Sequence, residues 1–426
     1  MNLVKVAKNT VAQLRDDSLT SNSFYLMAST AIVSVIGFIF WIVNARLFTP
    51  SMVGVSTDLI SVSSLIITLS FFGLTNGLIH YFSKTINKDH IINTSLSVIS
   101  LFSVLFSLIF LFFLPRLSPE LVFLRQNTFY IVTFIIIVIF SASSTLFENV
   151  FIAYRQAKYV LIKNVITGFT KLLLPFLFVA LAGYGIFLSF GVAFMITVFA
   201  CIMILSKKFN YHFSLHIDYA ILHRIARFSL ANHLATICNS LPVLLLPLII
   251  TNRLNAQSAA YFYMPLMIVN ILHIIPKSVS QSLFAEGSHD ELTIATHLKK
   301  SIKTIFVLLI PAIICVNLVG KYVLLAFGKG YSHEGLIVLH LLTIGSIFVS
   351  CNIVVDTLLN ITHHHKAYVF MNVFNAASII ISCTLLALLG LRGIGYGWII
   401  GQGISSILYL IFSPIKPQKV NFSLVR

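Results

Sequence analysis

Twelve apolar runs of about 20 residues each, separated by short polar connections, decide what this chain can fold into. They lie near 23–44, 55–80, 91–114, 127–150, 161–182, 186–205, 228–250, 258–284, 302–320, 335–358, 367–390 and 394–413. A helix of about 20 mostly apolar residues crosses a bilayer. Inside hydrocarbon, only a helix or a closed barrel satisfies its own backbone hydrogen bonds. Charged residues make up 9% of the 426 and hydrophobic residues 58%. A soluble domain carries roughly 25% charged residues, so a water-soluble globule is excluded, and disorder with it. The expected fold class is an all-α polytopic membrane protein. The first 20 residues hold Lys5, Lys8, Arg15, Asp16 and Asp17 and no long apolar core, so they are read as a tail or short interfacial helix and not as a cleavable signal.

The formal net charge of +16 is distributed between the apolar runs and forms no nucleic-acid-binding patch. With both termini on one side of the membrane, that side carries 19 Lys and Arg and the other side 7. The positive-inside rule then places both termini in the cytoplasm. The longest connections are expected near 206–227 and 285–301, with the longest outer loop at 321–334.

The runs repeat as six plus six. Arg46-Leu47 and Arg253-Leu254 close the first and seventh spans at an offset of 207. At an offset of 208, Glu148 meets Asp356, Lys158 meets Lys366, Asn164-Val165 meets Asn372-Val373 and Gly185-Ile186 meets Gly393-Ile394. The expected organisation is an N-terminal six-helix lobe over 1–206 and a C-terminal six-helix lobe over 207–426. Equal orientation of the halves makes them parallel repeats, a transporter architecture with its site between lobes.

Polar groups inside spans are the candidate machinery. Asn164, Thr167 and Lys171 share one helical face, with Lys171 expected near the middle of the fifth span. A central lysine costs roughly 2.5–3.5 kcal/mol on translocon scales. It therefore either faces a water-filled cavity, snorkels, or pairs with an acid such as Glu148. Asn270, His273, Lys277 and Gln281 form a stripe on the eighth span. His233 lies on the polar face of the seventh, with Arg227 at its cytoplasmic mouth, and Thr30 and Ser34 share a face with Gly37 on the first. Spans 1, 2, 7 and 8 are the richest in such groups and are expected to line the cleft, although small polar residues also serve helix packing. Glu148, Asp356 and Asp58 lie near span ends, where pairing with Arg155 or a neighbouring lysine competes with ion coupling. Pro242, Pro247, Pro265 and Pro276 invite bends in spans 7 and 8. Five isolated cysteines and the run His363-His364-His365 give no metal-ligand spacing, and no nucleotide or nucleophile–base motif occurs. No cofactor is expected.

The stretch FWIVNARLFTPSMVGVSTDLISVSSLI (39–66) resembles the junction of spans 1 and 2 in the polysaccharide flippase branch of the multidrug/oligosaccharidyl-lipid/polysaccharide exporter superfamily. Its Ala45-Arg46-Leu47…Gly54 spacing is one residue tighter than that branch's pattern. AYRQAKYVLIKNVITGFTKLLLPFLF (153–178) is similar to the branch's span 4–5 loop and span 5. The resemblance implies a MATE-like fold and O-antigen flippase-like activity: movement of undecaprenyl-diphosphate-linked sugars across a prokaryotic cytoplasmic membrane. Polymerases and glycosyltransferases of one pathway would be its partners. It also implies a cationic central cavity, which Lys171, His273 and Lys277 fit. The rivals are a multidrug cation antiporter of the same superfamily, which needs intramembrane acids, and a membrane-embedded glycan polymerase or ligase, which needs a large outer loop.

Overall fold

The computed structural model describes residues 18–85, 87–214, 217–289 and 294–411. No strand occurs among them. The chain divides into two compact units, Met1–His233 and Leu234–Arg426. The first unit contains α1 (Ser18–Leu47), α2 (Pro50–Ser70), α3 (Leu74–Phe82), α4 (Lys88–Leu117), α5 (Thr128–Ala153), α6 (Ala157–Leu173) and α7 (Ala182–Phe209). Helix α8 (Tyr219–Arg253) carries the boundary between units. The second unit continues with α9 (Ala256–Leu272), α10 (Ile274–His289), α11 (Ile294–Phe327), α12 (Lys329–Ile361), α13 (His365–Leu386) and α14 (Gly390–Ile411). Eleven stretches are long and apolar enough to cross a membrane. The last, His365–Ile411, holds two helices, each long enough to cross. Large apolar side chains such as Phe112, Leu318 and Leu388 are exposed, as a lipid-facing exterior requires.

Helix starts follow local chemistry. Thr49 caps α2, its hydroxyl accepting from Met52 N at 3.4 Å, with Pro50 at the first helical position where a missing N–H costs nothing. Asn127 caps α5 and Asn255 caps α9 in the same way. The connections are shorter than the apolar runs suggest, because polar helix ends stay helical beyond the membrane. Residues 210–218 join α7 to α8, and Gly328 alone joins α11 to α12 with φ of 146°. The expected 14-residue outer loop is therefore absent.

The sixfold repeat reappears in the backbone at the same offset. Arg155 (φ 56°) and His363 (φ 57°) both take the left-handed conformation that closes a helix C-terminus. Gln156 N then bonds Phe151 O, as His364 N bonds Leu359 O. Ala182 (φ 51°) and Gly390 (φ 72°) make matching turns before the last helix of each unit. Gly185 packs on the Phe178 carbonyl and Gly393 on the Leu386 carbonyl, where a Cβ would collide. On α14, Gly397 and Gly401 continue the series at four-residue spacing, and a Cβ on either would strike the α13 backbone. This small-residue face lets two membrane helices approach closely.

The second crossing of each unit is discontinuous. In the first unit, left-handed Phe72 (φ 44°) and Gly73 (φ 77°) separate α2 from α3. The Phe72 ring rests 4.4 Å from that of Phe102. In the second, α9 and α10 part at His273, three residues before Pro276, whose ring and missing N–H interrupt the ladder. Pro242 and Pro247 leave α8 unbroken. Discontinuous helices are a recurring element of transporter sites.

The segment after α7 is strapped to the start of α4. Tyr211 OH donates to Asn93 Oδ1 at 2.5 Å, and Asn93 Nδ2 donates to His212 O at 2.9 Å and Ser214 Oγ at 3.1 Å. His212 N donates to Asp89 at 3.0 Å. Burial, and then the nearby Asp89 carboxylate, raise the Tyr211 pKa, so its hydroxyl remains a donor. Removing Asn93 orphans Tyr211, at roughly 1–3 kcal/mol. Asn93→Ala is expected to make 210–214 protease-sensitive while the helices stay protected. Unchanged cleavage kinetics would show that the strap holds nothing.

Candidate functional site

The candidate polar residues fall into separate groups. In the first unit, Glu148 on α5 accepts from Lys163 Nζ on α6 at 2.5 Å, and Lys163 also donates to Asn164 Oδ1 at 3.2 Å. Asn164 Nδ2 donates to Ser29 Oγ on α1 at 2.8 Å. Lys163 is 4% exposed. It is an intrahelical cation locked to an acid. It also answers the Glu148 question, since the acid's partner is Lys163 and not Lys171. One turn on, Thr167 bonds Thr197 Oγ1 of α7 at 2.8 Å. Asn164 and Thr167 thus spend their hydrogen bonds within the unit.

Lys171 stands apart from that network. Its Nζ lies 5.4 Å from the Phe40 ring centre on α1 and 5.8 Å from that of Phe190 on α7. Among the described residues it makes no ion pair. Aromatic faces attract a cation by about 0.5–2 kcal/mol, which holds the ammonium without neutralising it. Its depth differs from the expectation. Pro175 ends α6 in a 3-10 turn, so the crossing is Ala157–Phe176 and Lys171 occupies its last helical turn instead of its middle. A helix C-terminus favours a cation there.

The second unit carries the repeat mate of the Glu148 network without its cation. Asn372 Nδ2 on α13 donates to Asp356 Oδ1 on α12 at 3.1 Å, and Asn239 Nδ2 on α8 donates to Asn372 Oδ1 at 3.1 Å. The Tyr409 hydroxyl of α14 adjoins the carboxylate. The position equivalent to Lys163 is Met371, which is fully buried. Asp356 makes no ion pair among the described residues.

His273 sits at the α9–α10 break, buried, its Nε2 3.1 Å from Ser346 Oγ. Lys277, one turn further, is exposed, as are Asn270 and Gln281 on the same face. Thr30 and Ser34 of α1 are exposed too, each back-bonded within its own helix. His233 is buried beside the Thr68 backbone, and Asp58 is fully enclosed on the packed face of α2. The Arg227 side chain and the tail Lys5–Asp17 lie outside the described residues.

Sequence reading missed Lys163, Phe40 and Phe190. The signal for Lys163 was the tight turn between α5 and α6, which brings position 163 back beside 148. Removing one partner of a fully buried ion pair costs roughly 3–5 kcal/mol, and less here because the Glu148 side chain is 36% exposed. Lys163→Met, which copies the second repeat, is expected to lower the melting temperature markedly in detergent, and adding Glu148→Gln is expected to restore part of it. A single variant as stable as the parent would show that the pair carries no weight.

The family model described as polysaccharide biosynthesis protein matches residues 43–334, more than half of the chain. No curated protein matches. Among solved structures, the chain is similar to an inward-facing MATE family multidrug resistance transporter of the MOP superfamily, at 14% identity and TM-score 0.72, covering 91% of this chain and 97% of that one. It is equally similar to the lipid II flippase MurJ in an inward closed conformation, at 14% identity and TM-score 0.72, covering 91% of this chain and 87% of that one. At these identities the likeness establishes a MATE-like fold. With the match over 43–334, more than half of its length, the chain belongs to the polysaccharide biosynthesis protein family.

Proposed function

We propose that the protein is a flippase that moves an undecaprenyl-diphosphate-linked oligosaccharide from the inner to the outer leaflet of the cytoplasmic membrane. The observation that carries this reading is Lys171: a cation in the last turn of a membrane-spanning helix, held by two aromatic faces and by no acid among the described residues. An ammonium so held can transfer its attraction to a phosphate oxyanion as a point charge. A locked ion pair such as Lys163–Glu148 cannot do this without losing its own partner.

The substrate has an anionic, hydrophilic head and a tail that stays in lipid. Lys171 in the first unit and Lys277 in the second are each candidates to attract the diphosphate, and His273 and Asn270 to offer hydrogen bonds to the head. Alternating access, the mode of paired-repeat transporters, would carry the head across. An inside-negative potential favours outward movement of an anion by about 2.3 kcal/mol per charge per 100 mV. The protein is read as a transporter and not as an enzyme. The single-residue link at Gly328 leaves no room there for the catalytic outer loop of a polymerase or ligase. A cation–drug antiporter shares the fold, but the polysaccharide family match and the unneutralised Lys171 favour an anionic substrate. In cells lacking the native gene, Lys171→Ala with Lys277→Ala is expected to cut surface glycan at least tenfold at equal protein level, and wild-type output from the double variant would refute their role.

Asp356 is the favoured coupling residue among the three candidate acids. Glu148 is neutralised by Lys163 and Asp58 is enclosed, whereas Asp356 is half-buried among neutral partners, the Asn372 amide and the Tyr409 hydroxyl. A carboxylate in that setting exchanges a proton or a small cation at lower cost than one held in an ion pair. Asp356→Asn is expected to lower glycan output several-fold with a normal melting profile, and Asp356→Glu to recover part of it. Full output from the Asn variant would leave the acid a packing role.

A further inference from the structure

The cytoplasmic half of α11 carries three different surfaces around its circumference. On one flank, an apolar groove of about 450 Å³ is lined by Ile302, Phe306, Ile347, Val354, Leu358 and Leu410 of α11, α12 and α14. About 100° further round the helix come Lys299 and Lys303, both exposed and one turn apart. About 100° beyond them lie His297, Lys300 and Thr304. These face Ser278, Ser282 and Glu286 of α10 across a polar groove of about 560 Å³. Both grooves lie within the second unit, and both fall in the size range of small-molecule sites.

We infer that this face of α11 is a loading site for the lipid-linked glycan, holding its tail, diphosphate and first sugars in that order. The inference rests on the transport reading above and adds to it a second place where the substrate is held. The order around the helix is the argument. An isoprenoid chain prefers the apolar flank, where Ile302 and Phe306 are 39% and 41% exposed. A diphosphate needs cations at the tail's polar end, and Lys299 and Lys303 stand there with no acid paired to them among the described residues. Sugar hydroxyls need donors and acceptors, and Ser278, Ser282, Thr304 and Glu286 supply them. Lysines beside an apolar inter-helix groove also attract anionic phospholipid headgroups. A phospholipid, however, would use the groove and the lysines and leave the hydroxyl-lined groove without a ligand. The charge bias of the chain places this end of α11 in the cytoplasm, where lipid-linked glycans are assembled.

The test is equilibrium binding to the purified full-length protein in nanodiscs. The probes are undecaprenyl diphosphate, the same lipid carrying a disaccharide, and phosphatidylglycerol as competitor. The wild type is expected to bind the sugar-bearing lipid more tightly than the bare one. Lys299→Ala with Lys303→Ala is expected to weaken both by tenfold or more, and Ile302→Trp, which fills the groove from its open side, to do the same. Ser282→Val with Thr304→Val should weaken the sugar-bearing lipid alone. If the wild type binds and all these variants bind equally well, the loading site is refuted while the transport reading stands. Equal displacement by phosphatidylglycerol overturns it in favour of a bilayer-lipid surface. If the wild type binds neither undecaprenyl lipid, the transport reading falls and the loading site with it.

Discussion

Hydrocarbon does not solvate charge, and every ionisable group that this fold carries into the membrane must find another way to be held. The two repeats answer differently at one position. In the first, Glu148 meets Lys163, and Asn164 and Ser29 extend the bonding to α1. In the second, the same backbone holds Asp356 with Asn372 and Asn239, and Met371 replaces the cation. One network is neutral and fixes helices against each other. Its mate retains a carboxylate with no ion-pair partner among the described residues. On the proposed reading, the first is a rigid packing element and the second a group whose charge state can change.

Lys171 follows the same logic with another solution. Phe40 and Phe190 hold its ammonium through their ring faces, and Pro175 shortens α6 so that the lysine sits at a helix end. Both devices reduce the cost of the charge without cancelling it. On the proposed reading, that charge serves an anionic guest.

The fold was largely legible in the sequence because hydropathy and helix length are local properties. The twelve runs, the repeat offset and the all-helical architecture all follow from spacing. The turn conformations at Arg155 and His363 and at Ala182 and Gly390 carry the same 208-residue offset that Glu148 and Asp356 showed. What depended on partners was harder to read. The role of Lys163 was hidden because a sequence does not show that a three-residue turn folds it back on Glu148. Lys171 looked central because the apolar run continues through Pro175 after the helix has ended. The helix break at Phe72–Gly73 was also hidden, since apolar residues continue across it, whereas the one at His273 had Pro276 as its signal. Of the candidate site, the residue types were readable, while their division into locked and unlocked charges required coordinates.

The central claim is that unneutralised intramembrane cations serve an anionic lipid-linked glycan. Its most direct measurement is translocation by the purified protein in liposomes. A fluorescent undecaprenyl-diphosphate oligosaccharide is placed in one leaflet, and its arrival in the other is followed with a membrane-impermeant quencher, in parallel with flux of an organic cation. The account predicts protein-dependent transfer of the diphosphate lipid and no cation flux above empty liposomes. Cation flux without movement of the lipid would contradict it.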